Sequence, residues 1–121
     1  DAAYHFELGE LYYKTERHDD ALKEFQYSQK NPQFRRRAHT LMGKCMAAKG
    51  LADMAVEQLD AALAECDKMN NEKKDILYTL ALLHEEADRP EEAQKALKQI
   101  YTVDVDYRDV SERIERLYKR A

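Results

Sequence analysis

One spacing constrains this chain more than any other: a frame of small and apolar residues that returns after 34 positions. His5-x-x-Leu8-Gly9-x-x-Tyr12, then Ala21-x-x-x-Phe25, comes back as His39-x-x-Met42-Gly43-x-x-Met46, then Ala55-x-x-x-Leu59. Gly9 to Gly43 and Ala21 to Ala55 are both 34 apart. A third copy, Leu77-x-x-Leu80-Ala81-x-x-His84 and Ala93-x-x-x-Leu97, follows with Ala55 to Ala93 at 38. Self-similarity at this period is the mark of stacked helical hairpins. Glycine inside a helix costs about 0.5–1 kcal/mol relative to alanine. Two of the chain's three glycines nevertheless stand at that position, Gly9 and Gly43. The compensation expected is close approach of a second helix, carrying Ala21, Ala55 or Ala93. Gly50 falls at a hairpin turn, where a left-handed residue ends a helix at little cost.

The helical spacing of apolar residues predicts seven helices. Helix 1 runs over about 2–14, with Tyr4, Leu8, Leu11 and Tyr12 as its apolar set. Asp19-Asp20 opens helix 2, and Asn31-Pro32 supplies a cap and a first-position proline for helix 3. Asn70-Asn71 caps helix 5, and Arg89-Pro90-Glu91-Glu92 opens helix 6. The four residues added between the second and third copies equal about one helical turn. The stripe continuing through Cys66 and Met69 places that turn at the end of helix 4. A last amphipathic segment, with Val110, Ile114, Leu117 and Tyr118 on one face, covers the final hairpin as a terminal repeat requires.

These residues resemble the tetratricopeptide repeat, whose signature combines W-x-x-L-G-x-x-Y, A-x-x-x-F and a closing proline. The resemblance spans roughly residues 2–105. It implies an all-α fold, a right-handed α-solenoid of helix-turn-helix hairpins. The repeats fall at about 2–35, 36–73 and 74–107, with a capping helix at about 108–120. It further implies a non-catalytic protein-interaction module that takes a peptide in a concave groove lined by the first helix of each hairpin. The groove positions are Phe6, Glu10, Tyr13 and Lys14, then Arg37, Thr40 and Lys44, then Tyr78, Leu82 and Glu85. Large apolar groups at four of them, Phe6, Tyr13, Tyr78 and Leu82, are expected anchors. Co-chaperone members of the family clamp a terminal carboxylate with lysines and asparagines. The matching positions here hold Phe6, Glu10, Lys44, Asp75 and Thr79, so chaperone tails are not the expected ligand. From Phe25 to Ala52 there are six basic residues and no acid. A partner with acidic groups and an apolar anchor is therefore expected, its acidic part over helix 3. The alternative is a structural role, through self-association of the open N-terminal repeat face.

Composition removes other classes. The net charge is −4, which does not attract nucleic acid. Arg35-Arg36-Arg37 would point to different sides of a helix. No apolar run approaches the roughly 20 residues of a membrane span, and no membrane partner is expected. The histidines and two cysteines lack the clustered spacing of a zinc site, no phosphate loop or nucleophile turn occurs, and no cofactor is implied. The unclustered cysteines read as reduced thiols of a cytoplasmic protein. The closing segment is similar to those of bacterial repeat proteins. The chain begins at Asp1 and reads as a piece of a longer protein, with further repeats expected before it.

Overall fold

Four of the helices start where the sequence supplies a cap or an early proline. The computed structural model describes residues 1–120 and is helical throughout: α1 (Ala2–Lys14), α2 (His18–Ser28), α3 (Pro32–Ala48), α4 (Ala52–Ala64), α5 (Asn71–Glu86), α6 (Pro90–Tyr101) and α7 (Val110–Arg120). The carboxylate of Asp1 caps α1 by accepting from the Ala3 amide at 3.0 Å. The Asn31 and Asn70 side chains do the same for α3 and α5, from Gln33 and Lys73. Each satisfies an amide that has no partner inside its helix.

The three hairpin turns share one geometry. Glu16, Gly50 and Asp88 adopt left-handed backbone with φ of 61°, 79° and 56°. The next residue donates back to the carbonyl five before it, as Arg17 to Tyr12, Leu51 to Met46 and Arg89 to His84. This is a helix-ending motif that favours glycine, yet only one of the three turns has it.

The chain divides into two compact units, Asp1–Asp67 and Lys68–Ala121. In the first, α1 pairs with α2, α3 with α4, and α3 also packs on the α1–α2 hairpin. Its core joins Phe6, Ala21, Phe25, Ala38, Met42 and Cys45. Phe25 is fully buried, a contribution of about 1.5–3 kcal/mol by apolar transfer. Ser28, also buried, donates its hydroxyl to the Phe25 carbonyl. In the second unit α5 pairs with α6, and α7 packs against α6. Its buried set includes Ile76, Leu80, Leu97, Ile100 and Leu117.

The repeat fixes which side chains are covered. Ala38, Met42 and Cys45 on α3, Ile76, Leu80 and Leu83 on α5, and Val110, Ile114 and Leu117 on α7 occupy matching positions, and all are buried. The matching residues of α1 are Tyr4, Leu8 and Leu11. Tyr4 and Leu11 are 61% and 59% exposed, whereas α3 packs on the α1–α2 hairpin and α7 on α6. The apolar set read from the sequence of helix 1 is thus corrected: Phe6, not Tyr4 or Leu11, faces the core.

The four added residues also differ from expectation. α4 has 13 residues against 11 in α2, two more rather than a full turn. The connection of residues 65–70 is three residues longer than that of 29–31 after α2, and α5 is one residue shorter than α3, 16 against 17. Cys66 and Met69 therefore stand outside α4. The sequence there, Cys-Asp-Lys-Met-Asn, offers two turn-forming residues that compete with helix continuation.

Candidate functional site

In the first unit the candidate residues come from α1 and α3. Phe6 is only 2% exposed. Its ring packs on Phe25 and Phe34, with centroids 5.7 and 5.3 Å away. It is a core residue whose outer face carries the Arg37 guanidinium, 4.7 Å above the ring centre. The same guanidinium lies 5.3 Å from the Phe34 ring. Arg37 is exposed, and among the described residues no carboxylate pairs with it. Stacking orients it without neutralising it. Phe34 was not among the expected site residues. Its signal was the three-residue spacing to Arg37, which puts both on one helix face.

Tyr13 is half-buried against the core cluster and meets His18 edge-on. Glu10 and Lys44 are half-buried and Lys14 is exposed. Thr40 is buried and donates its hydroxyl to the Arg36 carbonyl at 3.0 Å, so it offers little to a ligand. The arginine run does split as expected. Arg35 donates to the Gln29 and Lys30 carbonyls beyond α2, leaving Arg37 on the α1–α3 side. His5 and His39 tie each first helix to its second. Their Nδ1 atoms lie 2.6 Å from Glu24 and 2.7 Å from Gln58. Among the described residues no group of three His, Cys, Asp or Glu could hold a metal, and no helix is long and apolar enough to cross a membrane.

In the second unit Tyr78 and Glu85 are already engaged. The Tyr78 hydroxyl donates to Asp109 at 2.5 Å. Arg113 bridges Asp109 at 2.9 Å and Glu85 at 2.6 Å. Arg108 stacks over Tyr78 and Tyr107 and pairs with Asp75, while Lys74 pairs with Asp104. Burial, reinforced by the Asp109 hydrogen bond, pushes the Tyr78 hydroxyl above its ordinary pKa. The same hydrogen bond, with Arg113 beside it, holds the Asp109 carboxyl below the usual range. Tyr78 is thus a buried anchor for the 102–109 connection, and the acids Asp75 and Glu85 are answered from within the unit. Only Leu82, half-buried, keeps the character of an apolar contact. The partners Asp109 and Arg113 were legible as a four-residue ionic spacing; their reach to α5 was not.

Stacked hairpins with small residues at each crossing define a tetratricopeptide-type α-solenoid. Solved structures share this fold at low identity. The first repeat domain of Spaghetti (RPAP3), bound to an HSP90 peptide, superposes with a TM-score of 0.82 at 13% identity, over 98% of this chain and 91% of that one. The type III secretion chaperone SycD of Yersinia enterocolitica, in complex with a peptide of the translocator YopD, gives 0.81 at 18%, over 98% and 92%. MamA gives 0.84 at 17%, over 99% of this chain and 68% of that one. Tetratricopeptide repeat protein 14 of Mus musculus is 28% identical over 118 residues, 93% of this chain. This chain spans only 15% of that relative. More particularly, the chain belongs to the family described as "T7SS, ESX-1 secretion system protein EccA1, N-terminal domain", whose pattern matches residues 1–114.

Proposed function

We propose that this domain is a non-catalytic protein-interaction module whose α1–α3 face binds a peptide segment carrying acidic groups around an apolar anchor. The observation that carries this reading is Arg37, exposed, stacked on Phe6 and Phe34, and facing no carboxylate among the described residues. It stands in a stretch that has no acid from Phe25 to Ala52. Tyr13 and Lys14 stand about two turns from Phe6 along α1, and Lys44 about two turns from Arg37 along α3. The bound peptides of the RPAP3 domain and of SycD support a peptide ligand. The family's description names a secretion system and so supports a partner that itself belongs to secretion; on our reading they meet in the cytoplasm of a bacterium. Apolar contacts supply most of the affinity, while the cations set register and association rate.

The test is titration of a labelled synthetic peptide with glutamates flanking one phenylalanine, beside the same peptide with lysines. The acidic peptide binds more tightly, and its affinity falls with salt without vanishing. Arg37→Glu/Lys44→Glu weakens it by about tenfold, roughly 1.4 kcal/mol, in line with exposed pairs worth about 0–1 kcal/mol each. Equal binding by wild type and this variant, both folded, would remove the α1–α3 face as the site.

A further inference from the structure

In the second unit, α7 begins later in its repeat than α3 and α5 do in theirs. α3 starts at Pro32, 11 residues before Gly43, and α5 at Asn71, 10 before Ala81. Glu115 holds the same point of the repeat, 34 after Ala81, yet α7 starts at Val110, only 5 before it. Residues 104–109 thus stand in place of more than a turn of helix. They lie against α5 instead, where Asp104, Tyr107 and Arg108 each find a partner. Asp104 accepts from Lys74 at 2.9 Å, and the Tyr107 ring meets Tyr78 edge-on with centroids 6.0 Å apart. Arg108 pairs with Asp75 at 3.3 Å while it stacks over both tyrosines.

This path is held by side chains rather than by backbone preference. Arg108 has φ of 41°, a left-handed value that a non-glycine residue keeps only where its surroundings hold it. The residues it meets, Asp75 and Tyr78, match Arg37 and Thr40 of α3, two of the positions expected to face a peptide. An acid, two further residues, a tyrosine and an arginine therefore sit where a peptide would. We propose that residues 104–108 are a built-in occupant of the α5 face, a strap hinged at Asp109, and that a partner segment of the same pattern, Asp-x-x-Tyr-Arg, displaces it. Asp109 stays tied to Tyr78 and Arg113 while the strap lifts. Tethering gives the strap a high effective concentration, so a free segment gains the site only in competition with it. The inference uses contacts of the second unit alone and does not depend on the α1–α3 site.

The probe is a labelled synthetic peptide of residues 103–108, Val-Asp-Val-Asp-Tyr-Arg, titrated by fluorescence anisotropy against the whole 121-residue chain. Asp104→Ala/Tyr107→Ala removes the strap's own hold on Lys74 and Tyr78 and leaves α5 unchanged. This variant should bind the peptide about tenfold more tightly than wild type, because the competing occupant is gone. Adding Lys74→Glu should cancel the gain, since the peptide's first aspartate then loses its partner. A peptide with alanine for its tyrosine should show no gain. Circular dichroism checks the fold, and should the double variant unfold, Asp104→Asn takes its place with a gain of about threefold. Equal affinity of wild type and the folded strap variant overturns the proposal. So does a gain that survives Lys74→Glu, or one that Arg37→Glu/Lys44→Glu removes, since the peptide would then sit on another face.

Discussion

At single positions the repeat acts through space rather than through chemistry. A Cβ on Gly43 would lie 2.7 Å from Leu59 Cγ and 3.2 Å from the Ala55 carbonyl oxygen. Overpacking costs about 1–3 kcal/mol, against a helix-propensity gain of about 1 kcal/mol for Gly→Ala. Gly43→Leu should therefore lose about 1–3 kcal/mol or more in urea denaturation, and Gly43→Ala about 1 kcal/mol. The left-handed turns act in the opposite sense. Left-handed backbone costs a non-glycine residue about 1–2 kcal/mol, so Asp88→Gly should raise stability by about 0.5–1 kcal/mol; an unchanged urea midpoint would count against strain there. Burial pushes the Cys45 thiol up to about 11. It should resist a thiol reagent at neutral pH in folded protein, while half-buried Cys66 reacts first. The close approach at Gly43 and the turn at Gly50 were legible in the sequence because glycine is costly elsewhere. The same turn at Glu16 and Asp88 was not, because the surrounding fold imposes it on residues that do not prefer it.

At the scale of helices and connections, the sequence was clearest where periodicity and caps agree. All seven helices were legible from apolar spacing, with Asn31, Asn70 and Pro90 marking three of the starts. The placement of four added residues was not, since an apolar stripe cannot distinguish a longer helix from a loop whose Cys66 and Met69 fold back. The candidate site divides along similar lines. Arg37 and Lys44 stand out as bases in an acidic protein. The burial of Phe6 and Tyr78 depends on contacts across helices that spacing does not encode. Tyr78 in turn fastens the 102–109 connection and the start of α7. Tyr78→Phe should cost about 1.5–3 kcal/mol, the range for a hydrogen bond to a charged group. Asp109 has its folded pKa lowered, so its stabilisation is present above the ordinary carboxylate range and is lost as pH falls through its folded pKa. Tyr78 has its folded pKa raised, so its stabilisation is present below the ordinary tyrosine range and is lost as pH rises through its folded pKa. Denaturation midpoints of wild type and Asp109→Asn should therefore converge in acid, and tyrosine absorbance should show late-ionising groups at Tyr78 and Tyr107, of which Tyr78→Phe removes one.

For the whole molecule, the telling feature is where the period fails. The step from 34 to 38 falls in the end of α4 and the connection of residues 65–70, and the boundary between the two compact units, Asp67 to Lys68, lies inside that connection. The interruption should thus also partition cooperativity, with local opening in one unit costing the free energy of that unit rather than of the chain. Hydrogen exchange should show two protection classes that change sides there, and brief trypsin treatment should cut first after exposed Lys68. Gly43→Leu should depress protection across residues 1–67 and leave α5, α6 and α7 as they were. A chain partitioned in this way can absorb a destabilising mutation in one unit while the other keeps its stability.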